Sequence, residues 1–136
     1  MKATTSQVYP ALLYRNAPAA IDWLTRAFGF QLLSSHPGPG NTVAHAELNA
    51  GGGIIMLSTA KPEKGWKSPR DLDGVHQILY LVVDDPDAHF ARAKAAGAAI
   101  TQAPVTQDYG AREYCCTDLE GHSWSFGTYH PGAAAG

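Results

Sequence analysis

The apolar positions of this chain fall into two alternating kinds of run. Val8 to Arg15 (VYPALLYR) is a short apolar stretch of strand length. After it, Ala20, Ile21, Leu24, Ala27 and Phe28 recur at i, i+1, i+4, i+7 and i+8, the stripe of one helix face. Asn16 supplies an N-cap acceptor, Pro18 falls in the first turn, and Gly29 marks the stop. The same order then returns. Gln77 to Val83 (QILYLVV) predicts a strand, Asp85 an N-cap, Pro86 a helix opening and Gly97 its end, with Phe90 and Ala93 as a weaker stripe.

Each predicted helix is followed by three extended segments. In the first half these are Gln31 to Ser35, Thr42 to Asn49 and Ile54 to Ser58, with glycines Gly51 to Gly53 at the turn. In the second they are Ala99 to Gln102, Ala111 to Thr117 and His122 to Thr128, with DLEG (Asp118 to Gly121) suiting a type I turn. The first segment of each trio is expected to be short. The spacings agree: Gly29 to Gly97 is 97 − 29 = 68, and Gly53 to Gly121 is 121 − 53 = 68. Asn16 to Asp85, Ile21 to Phe90 and Leu24 to Ala93 are each 69 apart. These correspondences predict an α+β chain of two tandem β-α-β-β-β modules in a single domain. Module one covers about 7–60, a polar linker about 61–74, and module two about 75–130. Ser35 to Asn41 (SHPGPGN) reads as a loop, and the tail HPGAAAG as disordered.

Composition narrows the classes. The 136 residues are 45% hydrophobic and 16% charged with a net charge of −2, so no basic footprint suggests nucleic acid or an anionic membrane surface. No apolar run approaches the ~20 residues that span a bilayer, and MKATTSQVYP lacks the apolar core of a secretory signal. Cys115 and Cys116 are adjacent, so on a strand they point to opposite faces and no bridge between them is expected. A reduced, cytoplasmic protein is the expectation.

Several segments together carry a resemblance. The opening YPxLxxRNxxxAIDWLxxAFGF, the hairpin HAELxxGGGxIML, and VVDDPDAHFARAKAAGA with DLEGHSWSFGTY in the second half resemble the vicinal oxygen chelate superfamily. That superfamily groups glyoxalase I, extradiol dioxygenases, fosfomycin-resistance enzymes and bleomycin-resistance binding proteins. The resemblance spans Val8 to Tyr129 and implies two modules curling into an incompletely closed mixed sheet around a central cavity, commonly completed within a homodimer. The metal enzymes of the superfamily take His, Gln and Glu ligands from four strands. Carried over one at a time, those positions fall on Tyr9, Met56, Ile78 and Ser125. A divalent ion wants carboxylate oxygen or imidazole nitrogen there, so the resemblance implies a branch with no metal and no other cofactor.

What remains is a binding site. His45 and Glu47 share one strand face, as do Glu113, Cys115 and Thr117 on the related strand, and the resemblance turns these faces to the cavity. Tyr9, Trp66, Tyr109, Tyr114 and Trp124 offer aromatic contact area, with at least one of the last two expected in the core. The expected ligand-binding set is therefore Tyr9, His45, Met56, Trp66, Ile78, Tyr109, Glu113, Cys115 and Ser125. The expected partner is a small organic molecule, sequestered rather than transformed. The rival reading is a metal-dependent lyase, isomerase or dioxygenase with a relocated site built from His45, His76, Glu47 and Glu113.

Overall fold

The computed structural model describes residues 7–132. The last four residues of the predicted disordered tail, and the first six of the segment read as lacking a signal core, lie outside the described residues. The elements run β1 (Ala11–Tyr14), α1 (Ala17–Phe28), β2 (Gln31–Pro37), β3 (Val43–Ala50), β4 (Gly53–Thr59), β5 (Ile78–Val82), α2 (Pro86–Ala95), β6 (Ala99–Thr106), β7 (Arg112–Thr117) and β8 (Ser123–Gly127). Among the described residues they make two four-stranded mixed sheets, ordered β1-β4-β3-β2 and β5-β8-β7-β6 and not closed into a barrel. This is the α+β class the sequence predicts.

Local chemistry explains the elements. The Asn16 side chain accepts from the Ala19 N–H at 3.2 Å, and Gly29 ends α1 at φ 74°, a conformation that costs glycine little. Asp85 caps α2 in the same way, accepting from the Ala88 N–H at 3.1 Å. Burial follows the stripe: Ala17, Ala20, Trp23, Leu24, Ala27 and Phe28 of α1 are buried, against only Pro86 and Ala93 of α2. Gly51 and Gly52, both at positive φ, form the two-residue loop between the paired Ala50 and Gly53.

The strands predicted to be short are not. β2 has seven residues and β6 eight. Both are edge strands with register shifts, where Pro37 and Pro104 are tolerated because one side of the backbone needs no ladder partner. Consequently Ser35, His36 and Pro37 belong to β2 rather than to a loop.

The helix-facing sides of both sheets meet in one core. Phe28 contacts Trp23 at 5.1 Å between ring centroids, Trp124 at 5.3 Å and Phe126 at 4.8 Å, so a helix of the first half packs on a strand of the second. Trp23 Nε1 donates to the Ala96 carbonyl at 2.7 Å, which ties the middle of α1 to the C-terminal end of α2. A buried polar seam closes the other end. Glu120 accepts from the Arg15 N–H at 2.6 Å, the Asn16 N–H at 2.9 Å and the Ser68 hydroxyl at 2.6 Å. Asp118 accepts from Tyr14 Oη at 2.7 Å and Trp124 Nε1 at 3.1 Å. The DLEG turn thus ties the start of α1 and the linker to the second sheet. Arg15 also pairs with Asp71, which lies in the 3-10 turn Pro69–Asp71.

Candidate functional site

Alternation along β3 and β7 leaves one face of each sheet outside the core. In β3, Ala46, Leu48 and Ala50 are buried while His45, Glu47 and Asn49 are half-buried on the other side. In β7, Tyr114 and Cys116 are buried while Glu113, Cys115 and Thr117 are not. The two core-averted faces are the candidate binding surfaces.

On the first, His45 Nε2 pairs with Glu47 Oε2 at 2.8 Å, and the His36 ring lies roughly parallel to that of His45 with centroids 6.1 Å apart. Met56 stands between Glu47 and Ala11 in the pairing register. On the second, Ser125 occupies the matching place between Cys115 and Tyr80, with Cys115 Sγ 3.6 Å from Ser125 Oγ. Tyr109 Oη donates to Glu113 Oε1 at 2.9 Å, and this bond is the main reason its phenol pKa is raised. Arg112, the neighbour of Glu113, turns to the opposite side and holds Asp87 through two bonds of 2.7 and 2.9 Å.

The sequence-predicted residues therefore divide. Glu113, Cys115, Ser125 and Tyr109 gather on the second face, and His45 with Met56 on the first. Tyr9 precedes β1 and, with Ile54, Leu79 and Tyr80, lines a cavity of about 260 Å3. Ile78 opens β5 and is 65% exposed. Trp66 is 48% exposed on the linker beneath Lys61 and Lys64, with ammonium groups 5.5 and 5.8 Å from its ring. Tyr114 and Trp124 are both in the core. His76 lies apart from His45, beside Lys67 and His122 in a second cavity of about 140 Å3.

Sequence reasoning missed Tyr80 and Tyr129. Tyr80 Oη donates to the Tyr129 carbonyl at 2.7 Å and their rings meet at 6.4 Å; burial, then the Glu113 charge, raises the Tyr80 phenol pKa. The usable signal was parity, since Tyr80 shares the strand face of Ile78. The thiols behave as expected of opposite faces: both are free, and burial pushes Cys116 up to about 12.

The model of the Glyoxalase/Bleomycin resistance protein/Dioxygenase superfamily matches residues 6–126. The chain belongs to that superfamily. Among solved structures it is similar to TioX from Micromonospora sp. ML1, with 38% identity over 90% of this chain and 94% of that one and a TM-score of 0.72. An uncharacterized protein of Mycobacterium bovis is 38% identical over 121 residues, 87% of this chain and 80% of the relative. The fold extends to the fosfomycin resistance protein FosX from Mesorhizobium loti at a TM-score of 0.68 and 12% identity, covering 98% of each chain, a likeness of fold alone. Against the metal of the superfamily's enzymes, the donor set here fails on chemistry. The four carried-over positions present a phenol, a thioether, an alkyl group and a hydroxyl. Among the described residues no group of three His, Cys, Asp or Glu side chains is placed to hold an ion. No helix among them is long and apolar enough to cross a membrane.

Proposed function

We propose that this superfamily member binds a small organic molecule without a metal, and that it does so as a cytoplasmic homodimer of duplicated modules. The observation that carries the reading is the chemistry of Tyr9, Met56, Ile78 and Ser125, which replaces ion ligands by groups suited to apolar and hydrogen-bonding contact. The dimer supplies what one chain lacks. Both helix-facing sides are spent on the shared core, so Met56 and Ser125 lie on different sheets, each with its face uncovered. Face-to-face association of one copy's first sheet with another copy's second sheet would enclose a cavity lined by His45, Met56, Glu113, Cys115 and Ser125. Tyr9, Ile78 and Tyr109 would then stand at its margins, with Trp66 capping the mouth from the linker.

The test has two arms. Protein purified from metal-supplemented medium is analysed for Zn, Ni, Mn and Fe; a stoichiometric ion overturns the reading. A thermal-shift screen with flat aromatic antibiotics is then run. A ligand held at ~100 times its dissociation constant adds about 2.7 kcal/mol, enough to raise the melting temperature by several degrees. Absence of any stabilising compound across such a screen counts against a binding role.

A further inference from the structure

Tyr80 of β5, Tyr109 of the loop before β7 and Tyr129 just beyond β8 form one ring cluster beside the Glu113 carboxylate. Tyr109 Oη donates to Glu113 at 2.9 Å and Tyr80 Oη to the Tyr129 carbonyl at 2.7 Å. The Tyr129 ring meets Tyr80 at 61° with centroids 6.4 Å apart, and Tyr109 at 74° and 5.9 Å. The inclined rings form a corner whose Tyr109 side faces solvent, that residue being 65% exposed.

Three independent features argue against a merely structural cluster. The first is Gly127. Its φ is not in the left-handed region, yet a Cβ there would come within 2.5 Å of Glu113 Cγ and 2.9 Å of Tyr80 Oη, so glycine here makes room for those two side chains. The second is charge. None of the ion pairs among the described residues includes Glu113, and its neighbour Arg112 is committed to Asp87. The third is the comparison between halves. Met56 and Ser125 hold matching places, beside Ala11 and Tyr80 respectively, an offset of 125 − 56 = 69. At that offset Tyr80 and Tyr129 answer to Ala11 and Ala60, and at the 68 of the β3 and β7 registers Tyr109 answers to Asn41. The framework of the first half is built without these rings.

Phenol faces are the negative part of the ring quadrupole, and a carboxylate beside them deepens the local potential. A bare metal ion or small ammonium ion keeps its water in such a place, whereas an alkylated ammonium group is weakly hydrated and presents methyl or methylene groups to the rings. We propose that Tyr80, Tyr109, Tyr129 and Glu113 form a subsite for an alkylated ammonium group, so that the ligand is an organic cation. This inference rests on the small-molecule-binding reading above and names the chemical class of its ligand.

Full-length protein is titrated, with NMR detection of the tyrosine ring signals, against choline and against 3,3-dimethylbutan-1-ol, which has the same shape without the charge. Choline is expected to bind about tenfold more tightly or better, in line with a partly desolvated cation–π contact, and to weaken as NaCl is raised. In Glu113→Gln most of that preference disappears, and in Tyr129→Leu choline binding falls further, with circular dichroism confirming that both variants are folded. Equal binding of the two probes, no choline binding by the native protein, or an undiminished preference in folded Glu113→Gln overturns the inference. Neutral aromatic hits in the thermal-shift screen alongside silence toward choline would sink the cation subsite and leave the binding role standing. Silence toward every compound sinks both.

Discussion

Removing the Glu120 carboxylate should loosen the joint between the halves. Its residue is only 3% exposed, and its two oxygens serve the Arg15 N–H, the Asn16 N–H and the Ser68 hydroxyl. In Glu120→Ala all three donors lose their acceptor at once. An orphaned buried donor costs about 1–3 kcal/mol, but the part-buried N–H groups can recruit water, so about 3–5 kcal/mol in total is expected. For a chain of this size that lowers the melting temperature by roughly 10–20 °C. Glu120→Gln keeps one acceptor oxygen and turns an NH2 toward one donor, so about half the effect should remain. Urea unfolding of the native protein, both Glu120 variants, Ser68→Ala and the Ser68→Ala/Glu120→Gln double variant measures these terms. The cycle should return a coupling of about 1 kcal/mol or more, since Ser68 is fully buried against the carboxylate. A Glu120→Ala protein within about 1 kcal/mol of the native one would refute the reasoning, because it would mean the seam is formed but not needed.

Other consequences are open to the same instruments. Phe28→Ala should cost about 3–5 kcal/mol, since this ring packs on Trp23 of its own helix and on Trp124 and Phe126 of the other sheet; calorimetry checks it. Asn16→Ala should cost about 1 kcal/mol through loss of the N-cap bond to Ala19, read as a shift in the urea midpoint at constant slope. His89 is held down to about 4, by burial first and then by Arg92, with the Phe28 backbone opposing; its Nδ1 meets the Tyr114 hydroxyl. The unfolded chain therefore takes up the His89 proton more readily. Its contribution is complete above about pH 6.5 and is lost as pH falls toward 4. Replacing His89 by Phe should flatten the stability profile across that interval in pH-dependent urea titrations, and an unchanged slope would discount the histidine.

What the sequence discloses depends on how local each feature is. Asn16, Asp85 and Gly29 report helix ends through bonds or dihedral preferences contained within a few residues, and the structure uses each of them in that way. Strand parity likewise separates Cys115 from Cys116 and Glu113 from Arg112. The lengths of β2 and β6 were not legible, because polar, proline-bearing edge strands look like loops until a neighbour's backbone is known to pair with them. The Tyr80–Tyr129 contact joins positions 49 residues apart, and no spacing rule anticipates it. The reach of the DLEG turn back to Arg15, across 105 residues, is of the same kind: the turn itself is readable, but its partners are not.

The adjacent thiols give experimenters a handle. Cys116 is sealed in the interior with its thiol pushed up to about 12, while Cys115 stands half-accessible on the averted face of the same strand. A maleimide dye applied to the intact protein would therefore settle at a single location, beside Ser125 and two positions from Glu113. Occupancy of the neighbouring surface could then be followed as a change in emission from a chain that needs no engineering to carry the label.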